Sequence, residues 1–309
     1  MSKWMTEVDQ RTGLAGANKM ELLMFHLETD EIYGINVFKI REVMKVPPIT
    51  SIPDTDARVL GVVNLRGENI AIVDLKRAIG LGQLCLATAK LIITEYNDSK
   101  QGFLVSGVDR IIRISWDRIH IPPPMVRTSR QGAVTAVTKL DDGRMILILD
   151  VEKVLAEIHP MTDEEVYVGI EATKHLEGKR VLVADDSSVA RKQIAKTLER
   201  LGVQWEEVMT GREALRRLRH WAALAEESGK SVTEFVDLVL TDIEMPEMDG
   251  FTLTKSIRED ARLHRLPVLM HSSLSGYCNV EKGKSVGVTD YVTKFDPKEL
   301  RDKLVQVLS

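Results

Sequence analysis

The sequence predicts two dissimilar halves: a strand-rich domain of barrel or sandwich type, followed by an α/β domain built on a parallel sheet. Three observations predict this. Residues 20 to 150 hold many short, β-branched-rich runs separated by Asn, Asp, Gly or Pro. From residue 179 strands alternate with helices instead, the pattern of a parallel sheet covered on both faces. Between them "HPMTDEEVYVGIEATKHLEG" turns polar and reads as a linker. The boundaries expected are a loose arm over 1–19, a domain over 20–160, a linker over 161–178 and a second domain over 179–309.

In the first half the predicted strands are ELLMFHLE (21–28), EIYGI (31–35), NIAIVDL (69–75), KLIITEY (90–96), QGFLVSGV (101–108), AVTAVTKL (133–140) and RMILILD (144–150). KLDDGRM (139–145) signals a hairpin, with Asp142-Gly143 able to take positive φ. Asn64-Leu65-Arg66-Gly67 predicts a tight turn with Arg66 at its tip, either a solvated hairpin arginine or a contact residue. Short helices are expected at VFKIREVM (37–44) and VEKVLAEI (151–158). In the second half strands are expected at 180–185, 204–208, 237–242, 268–272 and 290–294. Helices are expected at 188–202, about 211–227, and near 251–259, 279–286 and 297–308. The first of these carries Ile194, Leu198 and Leu201 on one face and stops at Gly202.

A length of 309 residues suits two domains, and 44% hydrophobic with 28% charged residues is ordinary for a globular chain. No apolar run approaches the roughly 18 residues that cross a bilayer, and the N-terminus lacks the apolar core of a secretory signal. The expectation is a cytoplasmic protein without membrane insertion. A net charge of −4 argues against nucleic acid, and residues 1–170 count 20 basic against 23 acidic side chains. The basic stretch GREALRRLRHW (211–221) reads as a solvated helix face. Cys85 and Cys278 are too few and too far apart for a disulfide framework or a zinc site, and His26, His120 and His159 are scattered.

The chemistry is in the second half. Functional loops of a parallel sheet lie at the carboxyl ends of its strands. Those ends place Asp185-Asp186, Asp242, Ser272 and Lys294 on one rim. Carboxylates packed so closely repel one another and call for a cation, and an all-oxygen set suits Mg²⁺. With the charge neutralised one carboxylate is free to attack phosphorus, and a lysine opposite can hold the transferred group. A phosphoester-hydrolysing enzyme working through an aspartyl-phosphate uses similar groups, but no substrate pocket or cap domain is visible in the sequence.

LVADDS (182–187), LVLTDIEMPEMDG (238–250), PVLMHSS (267–273) and DYVTK (290–294) resemble the receiver domain of two-component response regulators, over about 179–309. The resemblance implies a flavodoxin-like fold, strand order 2-1-3-4-5, with Asp242 as phosphoacceptor. Asp185, Asp186, Asp242 and the backbone carbonyl of Glu244 would hold Mg²⁺. Ser272 and Lys294 would meet the phosphoryl group, and Tyr291 would be the aromatic switch. Phe295 departs from the pattern, because proline usually follows the lysine.

ELLMFHLETDEIYGINVFKIREVM (21–44), GVVNLRG (61–67), AIVDL (71–75) and GRMILILDVEKVL (143–155) likewise resemble the CheW coupling domain of bacterial chemotaxis, over nearly all of 20–160. That implies a pair of small five-stranded barrels and a scaffolding role between chemoreceptor tips and the histidine kinase CheA. Arg66 and the apolar Ile35, Val37 and Ile40 would be contact residues, with core packing the other reading of the three. The two halves together are arranged as in CheV-type coupling proteins. The expected function is a phosphorylatable adaptor at chemoreceptor arrays rather than an enzyme, with a phosphate sink for the kinase, or a non-chemotaxis two-component regulator, as the alternatives.

Overall fold

The computed structural model describes residues 19–96, 99–123, 132–158, 167–172, 174–272, 284–294 and 296–308. The chain separates into two compact units, one spanning Met20–Pro160 and the other running from Met161 onward.

Among its described residues the first unit has ten strands in two five-stranded sheets. One has the order β8-β1-β2-β10-β9, the other β3-β6-β7-β5-β4. The first five strands are β1 (Lys19–His26), β2 (Ile32–Asn36), β3 (Ile40–Lys45), β4 (Val59–Leu65) and β5 (Glu68–Asp74). The others are β6 (Lys90–Tyr96), β7 (Ser99–Val105), β8 (Gly107–Ser115), β9 (Val134–Lys139) and β10 (Met145–Leu149). Helix α1 (Leu75–Ala78) is capped by Asp74, and α2 (Val151–Ile158) follows β10.

Strand β1 shows why the sequence there is a continuous apolar run. Met20, Leu22 and Met24 enter a core with Ile32, Trp116 and Ile146, while Leu23 and Phe25 enter a larger core shared with Ile72, Leu91 and Phe103 of the second sheet. A strand buried on both faces has no polar side to alternate. Phe25 stacks on Tyr33 of β2 at 5.8 Å inside that larger core.

Two expectations need correction. VFKIREVM is not a helix: Val37–Lys39 makes one 3₁₀ turn and Ile40–Lys45 is strand β3, paired antiparallel with β6. Its residues alternate between half-buried and exposed, and pairing with β6 overrides the helix-like spacing of Val37, Ile40 and Met44. In the 139–145 hairpin Gly143 alone takes positive φ (94°), and the three-residue loop is closed by Leu140 N–H donating to Arg144 C=O at 2.8 Å. The Arg66 turn is as the spacing predicts: Arg66 (φ 54°) and Gly67 (φ 88°) link β4 to β5.

Gly61 makes a tighter demand. Thr50 exchanges two backbone hydrogen bonds with Val62, of 2.8 and 2.9 Å, beside a bulge in β4. A Cβ on Gly61 would sit 2.1 Å from Thr50 O, at φ +137°. Gly61→Ala is expected to destabilise the first unit by about 3 kcal/mol or more. A denaturant melt followed by circular dichroism checks this, and a loss under about 1 kcal/mol would contradict it.

The second unit has one parallel five-stranded sheet, order β12-β11-β13-β14-β15. Its strands are β11 (Arg180–Ala184), β12 (Gln204–Val208), β13 (Leu238–Asp242), β14 (Val268–Ser272) and β15 (Asp290–Thr293). Around them pack α3 (Ser188–Leu201), α4 (Gly211–Glu227), α5 (Gly250–Glu259) and α6 (Pro297–Leu308). Helix α3 starts on the Ser187 cap and ends at Gly202 in the left-handed region, as its sequence signals. Separate apolar cores lie on the two faces of the sheet, one with α3 and α6, the other with α4 and α5. The inverted order, with β11 between β12 and β13, creates a crevice at the carboxyl ends of β11 and β13. The expected helix near 279–286 falls mostly outside the described residues, as do residues 1–18 of the arm and 161–166 of the linker.

Candidate functional site

Four strand ends build the crevice. After β11 comes Asp185, whose Oδ1 accepts from the Ser187 amide at 2.8 Å and whose carbonyl accepts from Arg191 Nη1 at 2.6 Å. Asp186, partly exposed, is next. Strand β13 ends on Asp242, and the Ile243 amide donates back to Asp242 Oδ1 at 2.7 Å. Strand β14 ends on Ser272, whose carbonyl accepts from the Lys294 amide at 2.9 Å just beyond β15. Lys294 is buried, with Nζ 2.8 Å from Asp242 Oδ2 and 3.4 Å from Asp185 Oδ2.

After Asp242 the chain turns sharply. Gly250 N–H donates to Ile243 C=O at 2.9 Å, and a Cβ on Gly250 would lie 2.2 Å from Asp242 O. Only glycine fits there, and Asp249 beside it caps α5 through the Thr252 amide at 2.8 Å.

Asp185, Asp186 and Asp242 each bring a carboxylate oxygen within 4.8 Å of the others. Burial pushes the Asp242 carboxyl up to about 7; Lys294 opposes the rise, and Asp185 and Glu244 add to it. Burial would raise Asp185 too, but Lys294, His271 and the Ser187 amide outweigh it and hold Asp185 at about 2. Burial and the neighbouring acids thus favour the protonated form of Asp242, while the groups around Asp185 favour its charged form. Asp185 Oδ2 is buried, with the Lys294 ammonium 3.4 Å away and His271 Nδ1 3.5 Å away. Three close carboxylates share the Lys294 ammonium, a set that fits a hard divalent cation bound through oxygen.

The strand ends thus bring Asp185, Asp186, Asp242 and Lys294 together, with Ser272 on the same rim. Tyr291, on β15, is half-buried against Ile243, Phe251 and Met270, with β14 between its strand and the one that ends on Asp242. Phe295 lies outside the described residues. Sequence reasoning missed His271. It pairs in register with Asp242 across β13 and β14, is buried, and sits with Nδ1 3.5 Å from Asp185 Oδ2. Only the strand register reveals it.

The expected contact residues of the first unit fare differently. Arg66 is prominent, its side chain 77% exposed and ion-paired with Glu42 at 3.0 Å. Ile35 is 1% exposed and belongs to the core, because both faces of β2 are covered; its assignment as a surface anchor is corrected. Val37 and Ile40 are half-buried against the same core. The apolar side chains that do reach the surface beside them are Phe38 (46% exposed) and Val43 (42%).

The acid crevice at the switch point of a parallel sheet, joined in one chain to a pair of five-stranded sheets, defines a two-module signalling protein. The model of the CheW-like domain matches residues 21–159, and that of the response regulator receiver domain matches residues 181–305. The chain is 30% identical to chemotaxis protein CheV3 of Helicobacter pylori, over 90% of its own length and 88% of that protein. It is 28% identical to CheV2 of the same organism, over 98% and 99%. The crystal structure of the scaffolding protein TtCheW from Thermoanaerobacter tengcongensis aligns with 43% of this chain and 84% of its own, at 34% identity and a TM-score of 0.39. The chain belongs to the CheV family of chemotaxis proteins.

Proposed function

We propose that this chain is an adaptor that links chemoreceptor tips to the histidine kinase CheA and is regulated by phosphorylation of Asp242. The observation that carries the reading is the placement of Asp242: buried at the centre of the acids, in direct contact with Lys294 at 2.8 Å, on the carboxyl edge of a parallel sheet. Mg²⁺ held by Asp185, Asp186, Asp242 and the Glu244 carbonyl would neutralise the acids and the incoming phosphoryl group. The chain's own residues do the rest. A carboxylate oxygen of Asp242 attacks the phosphorus of the kinase's phosphohistidine, the P–N bond breaks, and the electron pair leaves with the imidazole. Lys294 re-pairs with a phosphoryl oxygen, and the Ser272 hydroxyl, on the same rim, donates to another. Tyr291, opposite Met270 in the strand next to the one that ends on Ser272, is the side chain proposed to repack when Ser272 moves.

Contacts of the first unit are proposed at Arg66, with Val37 and Ile40 behind the exposed Phe38. The Arg66 side chain is well exposed and its ion pair lies at the surface, so Arg66→Ala should change stability by less than about 0.5 kcal/mol. The same substitution should weaken co-sedimentation with receptor–kinase assemblies several-fold. Unchanged co-sedimentation would remove Arg66 from the interface.

Membrane arrays reconstituted from receptor, kinase and this chain test the adaptor reading. Kinase activation per bound adaptor should differ between phosphorylated native chain and Asp242→Ala. If the two support identical activation and differ only in phosphoryl drain, the chain is a sink instead. The adaptor reading places the chain at receptor arrays on the inner side of the membrane. None of the described helices is long and apolar enough to cross a membrane.

A further inference from the structure

The segment leading into the second unit is bound to it as part of its fold. Tyr167, Ile170 and Leu176 are buried in one core with Ile194, Leu198 and Leu201 of α3 and Leu300 and Leu304 of α6. Polar contacts hold the same stretch from both helices. From α3, Arg200 Nη1 donates to Tyr167 C=O at 3.3 Å, and the Tyr167 hydroxyl donates to Gln193 C=O at 3.4 Å. From α6, Arg301 Nη1 donates to Gly169 C=O at 2.8 Å. Lys196 and Arg200 also stand over the Tyr167 ring, 5.0 and 4.8 Å from its centroid. A polar linker that buries a tyrosine, an isoleucine and a leucine is anchored at both edges of a helix pair.

Helix α6 connects this anchor to the acid crevice. Asp296 caps it through the Lys298 and Glu299 amides, at 3.0 and 2.9 Å, and Glu299 reaches back to accept from the Thr293 amide at 2.9 Å. The first turn of α6 is therefore tied to the end of β15, immediately before Lys294. Leu300 and Arg301, which hold the linker, belong to the next turn. Lys294 Nζ now touches Asp242 Oδ2 at 2.8 Å, which leaves no room for a phosphoryl group between them. Modification of Asp242 displaces the ammonium from that contact, and the tie between the Thr293 amide and Glu299, one residue before Lys294, is the route by which the displacement would reach α6. The linker contacts match the unmodified geometry, so that movement works against them.

We propose that the described residues of the linker, 167–172 and 174–176, act as a strap whose grip on α3 and α6 loosens when Asp242 is phosphorylated, so that the strap carries the receiver's state into the segment joining the two units. This rests on the reading of Asp242 as phosphoacceptor. Coupling of this kind is reciprocal: if modification loosens the strap, loosening the strap favours modification by the same factor.

Amide hydrogen exchange on the full chain tests it, with Mg²⁺ and beryllofluoride as the phosphoryl stand-in. Amides around Ile170 and Leu176 should exchange at least tenfold faster with the probe bound, while those around Asp242 and Lys294 slow. Slowing at the acids with an unchanged strap overturns the strap proposal and leaves the receiver reading standing. No effect of the probe anywhere overturns both. In a second measurement, Tyr167→Ala should bind beryllofluoride about three- to tenfold more tightly than the native chain, and Tyr167→Phe, which keeps the ring, should bind as the native chain does. Equal affinity in all three overturns the proposal. Arg301→Ala, which removes one contact at the strap's edge, provides the same reading should Tyr167→Ala not fold.

Discussion

Asp242→Asn, although it removes the proposed phosphoacceptor, should stabilise the metal-free second unit by about 2–4 kcal/mol at pH 8. Burial, with Asp185 and Glu244 nearby, lifts the Asp242 carboxyl from its ordinary 3.8 to about 7. Between pH 4 and 7 the folded chain keeps a proton on Asp242 that the unfolded chain has released. Stability therefore falls as the pH rises through that window and levels off above it. A shift of about three units corresponds to about 4 kcal/mol, and relaxation around the buried pair takes the effect to the lower end of the range. Asparagine keeps the shape without the charge, and Lys294 keeps Asp185 as a partner at 3.4 Å. Asp185, held at about 2, acts in the opposite sense: its contribution is fully present above about pH 4 and is lost as the pH falls toward 2, below this window. Thermal melts in chelator from pH 4.5 to 8 should show a falling midpoint for the native chain and a flat one for Asp242→Asn. Mg²⁺ should close the gap at pH 8 by stabilising the native chain alone. Equal midpoints in chelator at pH 8 would mean that the pocket does not store this repulsion.

Lys294→Ala should have the largest destabilising effect of any single change in the crevice, about 3–5 kcal/mol without metal. The substitution leaves Asp185 and Asp242 buried without their common cation, and an uncompensated buried charge is more harmful than a missing pair. A divalent ion at the same oxygens offsets part of the loss, about 2.7 kcal/mol at a hundredfold excess over Kd. Urea melts with and without Mg²⁺ measure both quantities. A loss under 1 kcal/mol, or one that Mg²⁺ leaves untouched, would show that Lys294 is not the counter-ion of this cluster.

The acids were legible in the sequence because a parallel sheet delivers strand ends to one edge, so residues as far apart as Asp185 and Lys294 could be grouped once the strands were identified. The regular alternation after residue 179 made that identification secure. In the first half short segments carry two periods at once. Val37, Ile40 and Met44 fit a helix, Ile40, Glu42 and Met44 fit one face of a strand, and eight residues cannot decide between them. The single strand expected over 101–108 is the end of β7 and the start of β8, and β8 itself is not visible in the sequence because Asp109, Arg110 and Arg113 are exposed on a sheet-edge strand and mask its alternation. Ile35 was ambiguous for the opposite reason: nothing local says that both faces of β2 are covered. His271 is hidden behind the more conspicuous Ser272, and the strap behind a polar composition from which, among the described residues, only Tyr167, Ile170 and Leu176 are buried.

The central claim is that these carboxylates form one cation-dependent phosphoryl acceptor. Incubation of the full chain with CheA carrying a labelled phosphohistidine, with Mg²⁺ or with chelator, tests it most directly. Label should pass to the native chain only with Mg²⁺, as an acyl phosphate cleaved by hydroxylamine and mapped to Asp242, and not to Asp242→Asn. A native chain that stays unlabelled with Mg²⁺ present, or one labelled at another residue, would contradict the account.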